Sequence, residues 1–272
     1  MKSAEAPAIA LTIAGSDPGA GAGIQADLKT FAAHGVYGSS VIAALTAQNT
    51  LGVSDTLAVP VAFVRAQFRA LKEDLRPAAV KTGMLLSAEL VEAVAQMLGR
   101  PPLPLVVDPV LASSSGLALM EEEGLKAYRE KLIPLAMILT PNLEEGARLL
   151  GLAAPIQTLA QMREACVGLL ALGCRSVYLK GGHLPGGNCV DLFYDGEFLE
   201  LEALRVETRN THGTGCALSA ALTANLAKGL DLRSAARQAK AYVQGALEGA
   251  KGWKLGQGQG PLDHFFNGTS KG

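Results

Sequence analysis

The chain has 272 residues, of which 49% are hydrophobic and 18% charged. That excludes a disordered chain and is enough for a compact α/β domain without disulfide or metal staples. Lys and Arg number 24 against 25 Asp and Glu, and aromatic residues are 5%, so neither the charge nor the stacking surface of a nucleic-acid binder is present.

The opening residues carry an acidic Glu5 before a short apolar run, unlike a secretory leader. No run approaches the ~18 apolar residues of a membrane span. Cys166, Cys174, Cys189 and Cys216 fit neither zinc nor C-x-x-C spacing and read as thiols of a cytoplasmic protein. The sequon Asn267-Gly268-Thr269 is then accidental.

In chain order, Ala8–Ala14 reads as a strand ending at Gly15, followed by a helix from Ile24 to about His34. Ser40–Leu45 is a second strand. Val61, Val64, Phe68, Leu71 and Leu75 fall at helical spacing within Val59–Leu75. Ala78–Val80 is a short strand before Lys81-Thr82-Gly83, and Ser87 caps a helix over Ala88–Leu98. Leu105–Val107, Met137–Leu139 and Ser176–Leu179 are apolar strands that run into Asp108-Pro109, Thr140-Pro141-Asn142 and Lys180-Gly181-Gly182. Val190–Glu207 reads as a hairpin turning at Asp195-Gly196. Helices over Gly215–Lys228 and Leu232–Leu247 close the domain. The expected architecture is one α/β domain over 1–251, a mainly parallel central sheet with helices on both faces, and a loose glycine-rich tail over 252–272.

Ligands of such sheets sit beyond the carboxyl ends of the strands. Those ends supply Asp17, Lys81, Asp108, Asn142, Glu145 and Lys180, a set suited to phosphate and Mg²⁺. Gly21-Ala22-Gly23-Ile24-Gln25-Ala26 satisfies G-x-G-x-x-A formally, but its glycines begin several residues after the strand and no acidic residue closes the second strand, where Gln48 and Asn49 stand. It reads as a loop closing on a small substrate rather than an NAD site. No Walker A loop is present. The run Thr211-His212-Gly213-Thr214-Gly215-Cys216 at the mouth of an apolar helix offers backbone amides to an anion. Asn142 with Glu145 three residues on is a capping box or, with Asp108 on the next strand, half of a metal site. His34, His183, His212 and His264 lack zinc spacing.

Seven blocks, LTIAGSDPGAGAGIQADLKTF, GVYGSSVIAALTAQNT, VKTGML, VVDPV, LTPNLEE, LKGGH and NTHGTGCALSAALTANLAKG, run in order from Ala10 to about Leu247. Through them the sequence resembles the hydroxymethylpyrimidine and phosphomethylpyrimidine kinases of thiamine biosynthesis, within the ribokinase-like superfamily. The resemblance implies a ribokinase-like fold and transfer of the ATP γ-phosphoryl group to 4-amino-5-hydroxymethyl-2-methylpyrimidine, then to its monophosphate. It implies that Gly15, Asp27, Gln48 and Met84 line the pyrimidine pocket. Asp108 and Glu145 would hold Mg²⁺, while Asn142, Lys180, Thr214 and Lys240 would lie near ATP. Gly213, Thr214 and Gly215 would form the anion hole, with Cys216 at the substrate hydroxyl. It also implies a homodimer.

The sequence departs from the family pattern in the first glycine run, at Ser114, where a lysine is common, and at Glu144, where proline is frequent. A pyridoxal or pyridoxine kinase of the same superfamily is the nearest rival, and Ala47-Gln48-Asn49 with the cysteine of GTGC favours the pyrimidine. A non-catalytic vitamin-binding protein is the remote one, since it would have shed the carboxylates and glycines kept here. Cys216, at a helix amino end, is expected to be a thiolate general base.

Overall fold

A computed structural model describes residues 6–99, 103–112, 119–182, 184 and 188–268. Its elements are β1 (Ile9–Ser16), α1 (Gly23–Ala33), β2 (Tyr37–Asn49), β3 (Gly52–Ala58), α2 (Val61–Asp74), β4 (Ala79–Thr82), α3 (Ala88–Leu98), β5 (Leu105–Val107), α4 (Glu122–Ala127), β6 (Ile138–Leu139), α5 (Leu143–Leu150), α6 (Leu159–Leu170), β7 (Val177–Leu179), β8 (Asn188–Tyr194), β9 (Phe198–Leu204), α7 (Thr214–Ala227) and α8 (Leu232–Ala250). Among the described residues the strands form one sheet in the order β3-β2-β1-β4-β5-β6-β7-β8-β9. The pairings from β2 through β7 are parallel. The β3 edge and the β8–β9 hairpin are antiparallel.

The short strands lack polar alternation because both faces are covered. Leu11, Ile13, Val80, Val107, Leu139 and Leu179 pack with residues of α2 to α6, such as Val64, Val91, Leu125 and Cys166. Ala79, Val106, Ile138 and Tyr178 pack on the other face with α7 and α8. Helix α7 is buried along nearly its whole length, from Ala217 to Leu226, as a helix with apolar residues all round and no charged face must be. It lies against α1, α8 and the sheet. That burial fixes its amino end at the carboxyl edge of the strands. Ser87 caps α3, accepting from Leu90 N at 3.2 Å, as expected.

Three expectations change. The second strand extends to Asn49 and pairs with β3, which the apolar pattern did not show: none of the seven residues of β3 is buried. Helices α4 and α6 were also unmarked. Residues 253–268 are not loose, since Leu262 and His264 are 2% and 3% exposed and the Tyr242 hydroxyl donates to the His264 carbonyl at 3.0 Å. Ser114 and His183 lie outside the described residues. Among the described residues, no helix is long and apolar enough to cross a membrane.

Candidate active site

The strand order reverses at β1, which pairs with β2 on one side and β4 on the other, and such switch points open a crevice. Two groups of side chains gather along this edge.

The first surrounds Asp108, just past β5. Lys180, just past β7, places Nζ 3.1 Å from Asp108 Oδ1 and 3.6 Å from Glu145 Oε2. Thr140 donates to Asp108 Oδ1 at 3.3 Å, and Ser219 donates to Asp108 Oδ2 at 3.0 Å. Burial alone would raise the Asp108 pKa, but Lys180 and then Lys81 outweigh it and hold the carboxyl below its ordinary value. Glu145 goes the other way: burial, reinforced by the Asp108 charge, pushes it up to about 7 against the pull of Lys180. The capping box is also real, with Asn142 N donating to Glu145 Oε2 at 2.7 Å and Glu145 N to Asn142 Oδ1 at 2.8 Å. Glu145 therefore caps α5 and also faces the lysine.

The amino end of α7 closes on this group. Gly213 is its N-cap at φ +84°, and a Cβ there would stand 1.8 Å from the Gly21 carbonyl oxygen. Only glycine fits both the backbone and the contact. A Cβ on Gly215 would lie 3.2 Å from Lys180 Nζ and 3.9 Å from Asp108 Oδ2. The first turn of α7 thus stands directly against the lysine and the carboxylate, and a helix amino end of this kind can bind an anion. The Thr214 hydroxyl donates to the Thr211 carbonyl at 2.7 Å.

The second group lies at the ends of β1, β2 and β4. Met84 packs so tightly on Gly15 that a Cβ would meet its methyl at 2.3 Å. The Gln48 amide nitrogen is 3.1 Å from His212 Nε2, and Gln48 borders a cleft of about 600 Å³ shared with Pro18, Asn49 and Val53. Asp17 organises the first glycine loop: it accepts from Gly19 N at 2.8 Å, Gly21 N at 3.1 Å and Ala22 N at 2.8 Å. His212 Nε2 lies 2.9 Å from its Oδ2. Burial opposes ionisation of Asp17, but His212 and these amides together hold its pKa below the usual value.

Three expected roles look different in place. Asp27 does not face the cleft: it is fully buried, with Oδ1 2.7 Å from Lys81 Nζ and Oδ2 accepting from Thr12 at 2.6 Å. Lys81, equally buried, also donates to the Cys216 carbonyl at 3.5 Å, so Asp27 meets the site through Lys81. Lys240 pairs with Asp191 at 2.7 Å, and Asp191 accepts from Gly181 N at 2.8 Å. Lys240 therefore braces the turn after Lys180 rather than joining the group around Asp108. Cys216 does not carry the expected thiolate. Burial pushes its thiol up to about 11, with the Asp27 and Asp108 charges adding and Lys81 and the Gly23 amide opposing. The helix terminus was overruled by desolvation and two nearby carboxylates.

Sequence reasoning gave no role to Thr12, Thr140 or Ser219 and dismissed His212 with the zinc pattern. A hydrogen bond across 195 residues, such as His212 to Asp17, leaves no local signal. Ser219 was findable: one helical turn past Gly215, it shares that residue's face of α7.

Residues 17–263 match the model of a family described as phosphomethylpyrimidine kinase. A hydroxymethylpyrimidine/phosphomethylpyrimidine kinase of Rhizobium meliloti is 50% identical over 259 residues, covering 95% of this chain and 97% of its own. Among solved structures, a Bacillus subtilis pyridoxal kinase in complex with ADP superposes with a TM-score of 0.86 at 37% identity, covering 95% of this chain and 97% of that one. A phosphomethylpyrimidine kinase from Clostridium difficile gives 0.76 at 40% identity, covering 87% and 97%.

Proposed function

Because the chain belongs to the phosphomethylpyrimidine kinase family, we propose that it transfers the γ-phosphoryl group of ATP to the hydroxymethyl oxygen of 4-amino-5-hydroxymethyl-2-methylpyrimidine, and then a second one to the resulting monophosphate. The observation that carries this reading is Lys180, held between Asp108 and Glu145 and against Gly215 at the head of α7. The cleft bordered by Gln48 is tied to the run before α7 through His212, whose Nε2 is 3.1 Å from the Gln48 amide nitrogen.

Phosphoryl transfer asks a protein chiefly for position and charge. The amides of Gly213, Thr214 and Gly215, at the positive end of α7, take the equatorial oxygens of the transferring group. Lys180 neutralises charge on the same oxygens, and Asn142 sets Glu145 at the strand edge. Among the described residues no three His, Cys, Asp or Glu converge. The donor set is two carboxylates, Asp108 and Glu145, which fits Mg²⁺ completing its shell with substrate phosphates and water. When bound, Mg²⁺ supplies Lewis-acid neutralisation of phosphate oxygens.

Gln48 presents an amide to a ring nitrogen and its exocyclic amine, with Gly15 and Met84 forming the apolar floor. Cys216 stands at the hydroxyl as a neutral thiol. A loose transition state places little demand on a base.

A pyridoxal kinase is the second reading, favoured by the close superposition on the Bacillus subtilis enzyme. ATP turnover with pyrimidine, pyridoxal and sugar alcohols, with and without Mg²⁺, decides between them. Fastest turnover of the pyrimidine, lost without Mg²⁺, is expected; faster turnover of pyridoxal overturns the substrate. A homodimer is proposed with it. Leu45 and Leu57, opposite each other in the β2–β3 register, are 42% and 64% exposed and offer an apolar face that light scattering can test.

A further inference from the structure

Past α8 the chain runs Gly256-Gln257-Gly258-Gln259-Gly260-Pro261, a composition typical of flexible linkers. Its contacts are those of an ordered seam. On one side it meets the turn after β2: Gly258 N donates to Thr50 Oγ1 at 3.2 Å and Gln259 N to the Thr50 carbonyl at 2.9 Å. On the other it meets the run before α7. Gly260 N donates to the Arg209 carbonyl at 3.2 Å, His212 N donates to the Gly260 carbonyl at 3.0 Å, and Arg209 Nη2 donates to the Gln257 carbonyl at 2.7 Å. His212 and Pro261 form a parallel bridge.

The glycines are required by approach. A Cβ on Gly258 would stand 1.9 Å from the Thr50 carbonyl oxygen, and one on Gly260 would stand 1.9 Å from Asn210 Oδ1. Asn210 is 4% exposed, and its amide is committed to the Ala250 and Trp253 carbonyls at 2.6 and 3.0 Å. The segment is anchored beyond by buried Leu262 and His264.

The two edges it joins carry the pocket. Thr50 is two residues after Gln48, and His212 reaches Gln48 at 3.1 Å and Asp17 at 2.9 Å. We infer that residues 257–261 are a positioning strap of the small-alcohol pocket, holding the Gln48 turn in register with His212 and the Asp17 loop. Gly258, Gly260 and Thr50 are its positioning residues. None of these contacts reaches Asp108, Glu145 or Lys180, so the strap serves the alcohol and not ATP. The inference rests on the proposed pyrimidine reading for the identity of the alcohol.

The test compares Gly258→Ala and the near-isosteric Thr50→Val with the parent chain. Gly252→Ala serves as the control, because a Cβ there meets nothing within 4 Å. Thermal melting reports whether each variant is folded. Thr50→Val removes a single hydroxyl and keeps the question open even if Gly258→Ala fails to fold. The expected result is a KM for the pyrimidine raised at least tenfold in Gly258→Ala and at least threefold in Thr50→Val. KM for ATP should change less than twofold, and Gly252→Ala should match the parent. Calorimetric binding of the pyrimidine without ATP should weaken in parallel. An unchanged pyrimidine KM in folded Thr50→Val, or equal rises in both KM values, overturns the strap. A parent chain that does not phosphorylate the pyrimidine overturns the functional reading instead, and the same ratios are then read with the alcohol it does turn over.

Discussion

His212 Nε2 lies 2.9 Å from Asp17 Oδ2, so one carboxylate folds the first glycine loop and fastens it to the loop that begins the anion hole. A charged acceptor with donors on both oxygens is poorly replaced by an amide, whose nitrogen would face donors. Asp17→Asn should cost about 1.5–3 kcal/mol in urea unfolding and raise KM for the pyrimidine at least tenfold. The pKa of Asp17 is depressed in the fold, so its stabilisation is present above the unfolded value, near 3.8, and is lost as pH falls through the lower folded one. The stability gap between variant and parent should therefore be full at pH 6 and close in stronger acid. A gap that stays constant to pH 2 would show that the charge is not what matters.

Most of the sheet was legible because each parallel strand is an apolar run broken by a polar turn. The same turns handed over Asp108, Glu145 and Lys180 without any contact being known. What was not legible has physical reasons. Strand β3 buries no residue and carries no hydrophobic pattern. The partners of Asp17, Asp27 and Asp191 come from elements far away in sequence. Glycine in 256–260 reads as freedom when the reason is close approach. For Cys216 the local rule was right in kind and too small, since a helix terminus contributes less than burial beside two carboxylates takes away.

Asp27 and Lys81 form a fully buried pair at 2.7 Å, and that separates a structural carboxylate from one that binds substrate. Asp27→Leu strands a buried ammonium and should cost about 3–5 kcal/mol. Adding Lys81→Met removes the stranded charge and should recover most of the loss in urea denaturation. If the double variant regains stability and also keeps KM for the pyrimidine within threefold, Asp27 acts through Lys81. A recovered fold with the pyrimidine KM raised tenfold or more would return Asp27 to direct contact with substrate.

A thiol pushed up to about 11 is neutral through the working range, with on the order of 0.1% thiolate at pH 8. Alkylation of Cys216 by iodoacetamide, followed by peptide mass spectrometry, should therefore rise about tenfold per pH unit up to pH 10. Turnover should show no matching rise between pH 6 and 9. Cys216→Ser, which keeps a small polar group at the hydroxyl, should hold kcat within about threefold, as a loose transition state allows. A loss beyond tenfold in Cys216→Ser, together with a turnover profile that follows the alkylation profile, would restore the base.

Glu145 offers the sharpest separation of cap from chemistry, because glutamine can keep the one and not the other. Gln at N3 still completes a capping box with Asn142, while the negative charge facing Lys180 at 3.6 Å disappears. The pKa of Glu145 is raised from 4.5 to about 7, so between those values the folded protein holds a proton that the unfolded chain releases. Stability contributed by this site falls as pH rises through that window and is at its lowest above it. Glu145→Gln does not pay that penalty. Its melting temperature should match the parent near pH 4.5 and exceed it at pH 8, in the absence of ligands. Turnover at pH 8 should drop at least tenfold, because the ionised carboxylate faces Lys180 and would hold Mg²⁺, the cations that neutralise charge at the transferring phosphoryl group. Higher stability with lower activity is the expected signature. Full activity of Glu145→Gln at pH 8 would reduce Glu145 to a helix cap, the role that glutamine preserves.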